Sequence, residues 1–211
     1  MSSTSQDFKH NVFINCPFDA EYRPVFDAIV FTIQLTGFRP RSALEASNAA
    51  TNRLQKIMTI IGQCKYGIHD LSRTELNSRG LPRFNMPLEL GMFLGAKRFG
   101  SPKHKLKTCL ILDVERYRYQ KFISDIAGQD IAAHDGNAEE AIKAVRNRLS
   151  AATSKSVKIP SGSVIARRYA MFRSELPATC ERLQLNVDEL TFADYVLQVE
   201  EWLKINAQTA S

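Results

Sequence analysis

Hydrophobic and polar positions along the chain alternate between a period of two and a period near 3.6. Asn11-Val12-Phe13-Ile14-Asn15 is a short β-rich run. Tyr22 to Thr36 follows, with Val25, Phe26, Ile29, Val30 and Ile33 at helical spacing and Gly37 as the stop. Phe38 to Leu44 reads as a weak strand. Thr51 to Cys64 is helical again, with Leu54, Ile57, Met58 and Ile61 on one face. Tyr66 to Leu71 is short and strand-like. Asn85 to Ala96 opens a helix, and Thr108 to Leu112 is the clearest buried strand in the chain. Tyr117 to Ile126 predicts one helix with Tyr and Phe inward and Arg outward, closed by Gly128. Ile131 to Ala133 is a short strand, and Ala138 to Leu149 an amphipathic helix.

Strands that alternate with helices predict an α/β fold, a parallel sheet of about five strands covered by helices on both faces. Such sheets place ligands at the carboxyl ends of their strands. Those ends are Asn15 to Asp19, Ser42 to Ser47, His69 to Arg73, and Asp113 to Glu115. Residues 1–10 are polar and expected as a flexible N-terminus, and residues 11–153 as the α/β domain. The small, polar stretch Ala151 to Ser163 contains the expected linker, residues 154–163. Residues 164–211 form a helical extension, with helices over Val164 to Leu176 and Leu190 to Ile205 joined by Leu183 to Val187. The extension packs as a cap, forms a dimer surface or binds a partner.

Composition narrows the function classes. With 211 residues, 44% of them hydrophobic, the chain can bury a real core. No apolar stretch approaches the ~20 residues that span a bilayer, and Met1 to His10 lacks a signal-peptide hydrophobic region. Cys16, Cys64, Cys109 and Cys180 are scattered without zinc spacing, which predicts a reduced, cytoplasmic protein with no metal. The net charge of +6 lies in the first 150 residues, because acids and bases balance from Ala151 onward. The basic residues form no block and no aromatic–basic platform, so a solvated surface is favoured over nucleic-acid binding.

The candidate chemistry centres on Glu89, one carboxylate in the greasy run Asn85-Met86-Pro87-Leu88-Glu89-Leu90-Gly91-Met92-Phe93. An unpaired buried charge costs several kcal/mol or shifts its pKa, on the order of units. Asn85 is the expected helix cap, Pro87 fits a helix start, and Glu89 then sits near the positive end of the helix dipole. It reads either as a catalytic acid or as the partner of an arginine such as Arg83 or Arg98. Asn85 and Met86 line the same mouth. Asn15, Pro17, Phe18 and Asp19 suit a nucleotide loop, or Asp19 caps the next helix. Asp70 and Ser72 can hold ribose hydroxyls. His69 reads as packed or solvated, and Arg73 as a partner for a phosphate or an acid. Neither GxGxxG nor a Walker lysine motif is present.

Over residues 11–150 these features resemble the group that contains TIR domains and the nucleoside 2-deoxyribosyltransferase-like enzymes. Val12-Phe13-Ile14-Asn15 running into Cys16-Pro17-Phe18-Asp19, Gln63-Cys64-Lys65-Tyr66-Gly67-Ile68, and Asp70-Leu71-Ser72 … Glu89-Leu90-Gly91 carry the similarity. The long stretch Arg73 to Phe84, the His69-Asp70 pair and the segment after Ala151 depart from it. The resemblance implies a flavodoxin-like doubly wound sheet and cleavage of an N-glycosidic bond, with Glu89 as the catalytic carboxylate. Asn15, Pro17, Phe18, Asp19, Asp70, Ser72, Asn85 and Met86 are then the substrate-binding set. It implies NAD as substrate rather than cofactor, self-association into a homo-oligomer, and a role in bacterial antiviral defence. A nucleoside deoxyribosyltransferase, a nucleoside-monophosphate N-glycosidase and a non-catalytic nucleotide-sensing or protein-interaction module stay open. No membrane partner is expected.

Overall fold

The computed structural model describes residues 3–45, 52–75, 80, 83–153 and 158–207. Ser47, Thr51, residues 154–157 of the expected linker and 208–211 of the extension lie outside the described residues. The chain runs α1 (Ser3–His10), β1 (Asn11–Asn15), α2 (Arg23–Leu35), β2 (Arg39–Ser42), α3 (Arg53–Gln63) and β3 (Tyr66–Asp70). It continues through α4 (Asn85–Phe99), β4 (Thr108–Asp113), β5 (Ile131–Ala133), α5 (Ala138–Ser150), α6 (Gly162–Arg182) and α7 (Phe192–Ala207).

The five strands form one sheet in the order β2-β1-β3-β4-β5, and every pairing is parallel. This is the flavodoxin-like order, with its switch point between β1 and β3. The two-residue period of a strand divides the sheet's faces. Val12, Ile14, Ile68, Leu110 and Leu112 join α2 and α5 in one core. Phe13 points the other way, to Ile57, Ile60 and Ile61 of α3 and Phe93 of α4. Leu71, Met86, Leu90, Ile111 and Tyr119 form a third cluster under the start of α4.

The C-terminal helices add a fourth layer. Ile165, Tyr169, Phe172 and Leu176 of α6 and Tyr195, Val199 and Trp202 of α7 belong to the same core as α2 and α5. Phe31 of α2 meets Tyr169, Phe172 and Trp202 at ring-centroid distances of 5.5, 5.5 and 5.8 Å. Nine consecutive residues of α2, Val25 to Ile33, are buried. A helix apolar all round is a helix covered all round.

Several expected boundaries change. Residues 1–10, expected as a flexible N-terminus, carry α1, and its Phe8 is buried. The anchor is long-range: the Lys65 N–H donates to the Phe8 carbonyl at 2.9 Å, and the Lys103 ammonium sits 4.4 Å from the Phe8 ring centroid. The helix expected over Tyr117 to Ile126 is two 3-10 turns, Arg118–Lys121 and Ser124–Ile126. Tyr117 takes a left-handed conformation (φ 64°) and is exposed, while Arg118 turns inward to Asp113. The expected Tyr-in, Arg-out pattern is thus reversed at its first two residues. Helix α6 runs past the expected end at Leu176 to Arg182, straight through Pro177. Gly37 does end α2, with φ at 85°.

Candidate functional site

Three loops at the carboxyl end of the sheet are tied together by one buried carboxylate. Asp70 closes β3 and is fully buried. Its Oδ2 accepts from Tyr22 Oη at 2.6 Å and from His134 Nε2 at 2.8 Å, and its Oδ1 accepts from the Ser72 N–H at 2.8 Å. Burial pushes an acid up, but the bonds from His134, Ser72 and Tyr22 win and hold Asp70 below the usual range. The Gly136 N–H donates to His134 Nδ1 at 3.0 Å, so the proton of a neutral ring sits on Nε2. Ser72 Oγ lies 2.9 Å from that same nitrogen. A hydroxyl and a carboxylate on one imidazole nitrogen do not make a Ser-His-Asp relay, which needs one on each. The cluster is a clamp that joins the start of α2, the end of β3 and the turn after β5.

Asp113, at the end of β4, lies beside the clamp and is also fully buried. Arg118 holds its Oδ1 at 2.6 Å, and Oδ2 has no partner among the described residues. Burial raises its pKa against the pull of Arg118, and the charge of Asp70 adds to the rise.

Glu89 is different in kind. It sits in the second turn of α4 with 9% of its surface exposed, and no described residue bonds to it or pairs with it. Burial raises its pKa to about 7, opposed only by the charge of Arg53 at the start of α3. The carboxylate therefore holds and releases its proton near neutrality, the range a general acid or base needs. The expected pairing with Arg83 does not form: Arg83 bonds Asp19 at 3.0 Å.

Asn15 fixes the helix that carries Glu89. Its Nδ2 donates to the Met86 carbonyl at 2.8 Å and lies 3.0 Å from His69 Nδ1. His69 is fully buried, packed against Phe93 and Phe13, and desolvation lowers its pKa to about 3. It is a neutral spacer, not a catalytic base. Gly67 makes room for it: a Cβ there would stand 2.6 Å from His69 Nε2. Asn85, the expected cap, is instead the first helical residue. Phe84 already has helical angles, and its carbonyl accepts from the Leu88 N–H at 2.9 Å. Pro87 then falls within the first turn, where no amide partner is lost.

The expected site residues thus separate into three groups. Asn15, Met86 and Glu89 come together at the β1–β3 switch point, with Asn85 exposed beside them and Pro17 buried. Cys16 feels the charges of Asp70, Glu89 and Asp19 together, and burial pushes its thiol well up, so it is inert. Asp70 and Ser72 are committed to the clamp rather than presented to a sugar. Phe18 and Asp19 face the C-terminal helices, where they line a cavity with Arg23 and Arg173. Tyr22, Asp113, Arg118 and His134 were not named as site residues from the sequence. Asp113 and His134 each stand at or just after a strand end, and that position alone marks them.

A groove of about 780 Å³ lies at the other end of the sheet, between α1, the start of β2 and α7. Among the described residues no group of acids, histidines and cysteines is arranged to hold a metal ion. No described helix is long and apolar enough to cross a membrane. No family model, curated protein or solved structure matches the chain.

Proposed function

We propose that the chain cleaves an N-ribosyl bond of a nucleotide, as a hydrolase or a transferase, with NAD as the first substrate to test. The observation that carries this reading is Glu89, a carboxylate at the switch point of a parallel sheet, buried, without a partner among the described residues and poised near pH 7. Departure of a base leaves an oxocarbenium-like sugar, and one fixed carboxylate stabilises or traps that cation. The ionised form does this work; the protonated form can donate to a leaving group. Asn15 keeps the first turn of α4 against β1, so Glu89 is held on a rigid element rather than a loop. The resemblance to TIR-like and deoxyribosyltransferase-like proteins supports the same chemistry, with a homo-oligomeric, cytoplasmic defence effector as its setting.

A second reading is a nucleotide-sensing module of the same fold. It is favoured by the burial of Asp70 and Ser72 within the clamp, which leaves Glu89 without a second presented acid at the mouth.

Chromatography of NAD incubated with concentrated protein, beside Glu89→Gln, separates the two. Nicotinamide released by the parent and lost at least 100-fold in the variant supports catalysis. NAD that binds without turnover supports the sensing module. The same assay with deoxynucleosides and nucleoside monophosphates tests the remaining substrates.

A further inference from the structure

A second cavity, about 440 Å³, opens between the β1–α2 loop and the C-terminal helices. It falls within the ~300–1,000 Å³ range of small-molecule sites. Phe18, Asp19 and Ala20 form one wall, Arg23 and Asp27 of α2 the floor, and Arg173, Leu176, Asp188 and Leu190 the far side.

Its charge is built around Asp27. This carboxylate is 1% exposed, and burial raises its pKa against two arginines. Arg23 Nε donates to Oδ1 at 2.7 Å and Arg173 Nη1 to Oδ2 at 2.8 Å. One buried acid needs one cation; here two guanidiniums converge on it, and one positive charge is left over at the cavity wall. Each arginine keeps about two-fifths of its side chain exposed, 40% and 41%. The Arg23 guanidinium also lies 5.7 Å over the Tyr195 ring, which fixes it further.

The acids around the cavity do not cancel this surplus equally. Asp19 is already engaged, by Arg83 at 3.0 Å and Arg73 at 3.5 Å. Asp188 is exposed on the opposite rim, suited to a hydroxyl or amine of a bound molecule. The apolar wall is Phe18, Leu176, Val187 and Leu190, with Phe18 braced edge-on by Phe26 at 5.6 Å.

We infer that this cavity is a second ligand site, for a small molecule that joins an oxyanion to a flat apolar body. The pinned guanidiniums take the phosphate or carboxylate, because a fixed fork loses little freedom when it binds. The apolar wall takes the body. The site is independent of Glu89, but its wall is the loop that follows β1, so its occupant contacts the same loop as the candidate mouth.

Phenyl phosphate and benzoate are the two probes, each titrated into the full chain in phosphate-free buffer while thermal unfolding is followed. One of them raises Tm by about 3–6 °C near ten times its Kd, saturably. Which one does so tells phosphate from carboxylate. Arg173→Gln abolishes the shift, but it also disturbs Asp27. Ala20→Phe is therefore the decisive variant: it fills the mouth from an exposed turn, leaves the ion pairs intact and removes the shift without lowering the parent Tm. No shift with either probe, or a shift that survives in a well-folded Ala20→Phe, overturns the inference.

Discussion

Two buried carboxylates, one on each face of the sheet, show what burial alone does not reveal. Asp27 lies in α2 and Glu89 in α4; both are mostly hidden from water, and burial raises the pKa of both. Asp27 is gripped by two arginines within 3 Å, inside a helix covered on every side. Glu89 has no partner among the described residues, in a helix that covers the sheet with one face and exposes Leu88 and Phe99 on the other. The first is an acid whose environment is complete. The second costs the fold stability and receives no compensation among the described residues, which sets it apart from a structural ion pair and is the feature on which the proposed chemistry rests.

The comparison breaks most readily at Asp27. Asp27→Ala leaves two guanidiniums facing each other and is expected to cost about 3 kcal/mol, read as a lower urea midpoint. A loss under about 1 kcal/mol would mean that the α2–α6 junction does not depend on this acid.

Glu89→Gln acts in the opposite direction. The native carboxyl titrates near 7 and the unfolded one near 4.5, so the folded state binds the extra proton between those values. Parent stability therefore falls as pH rises from 4.5 through 7, and the variant lacks this loss. At pH 8 Glu89→Gln is expected to be more stable by about 2–3 kcal/mol, with the gap closing below pH 4.5. Urea melts at pH 4, 6 and 8 check it; an equal gap at all three pH values would show that Glu89 has a hidden partner.

Gly67→Ala sharpens the comparison more gently. The added methyl presses on His69, which is confined by Phe93 and tied to Asn15. A cost of about 1–2 kcal/mol is expected, along with a shift of the Asn15 side-chain amide signals in a heteronuclear NMR spectrum. An unmoved Asn15 would uncouple β3 from the first turn of α4.

The repeating elements were legible because their cause is local. Apolar spacing found β1, α2, β3, β4 and α5 to within a residue or two, and the strand-end rule pointed to the edge of the sheet where Glu89 and the Asp70 clamp lie. Glu89 was legible for the same reason, as a charge among apolar neighbours. The clamp was not. Tyr22, Asp70 and His134 are joined across separations of 48 and 64 residues, and nothing near any one of them announces the other two. Asp70 and Ser72 were therefore assigned to a ligand when the protein itself uses them. Helix α1 escaped notice because it buries one phenylalanine, and the residues that hold it, Arg39, Lys65 and Lys103, lie far along the chain. Arg118 misled through its charge, which reads as surface until Asp113 is seen behind it.

The encased α2 also bears on how the protein is made. Its apolar residues emerge early in synthesis, yet their outer cover arrives with Arg173, Tyr195 and Val196, whose bonds to Asp27 and Gln34 span 146 to 168 residues. A nascent chain that has reached Ser150 can close the sheet but still presents one side of α2 to solvent. Until α6 and α7 leave the ribosome, that side is a binding surface for chaperones and a route to aggregation.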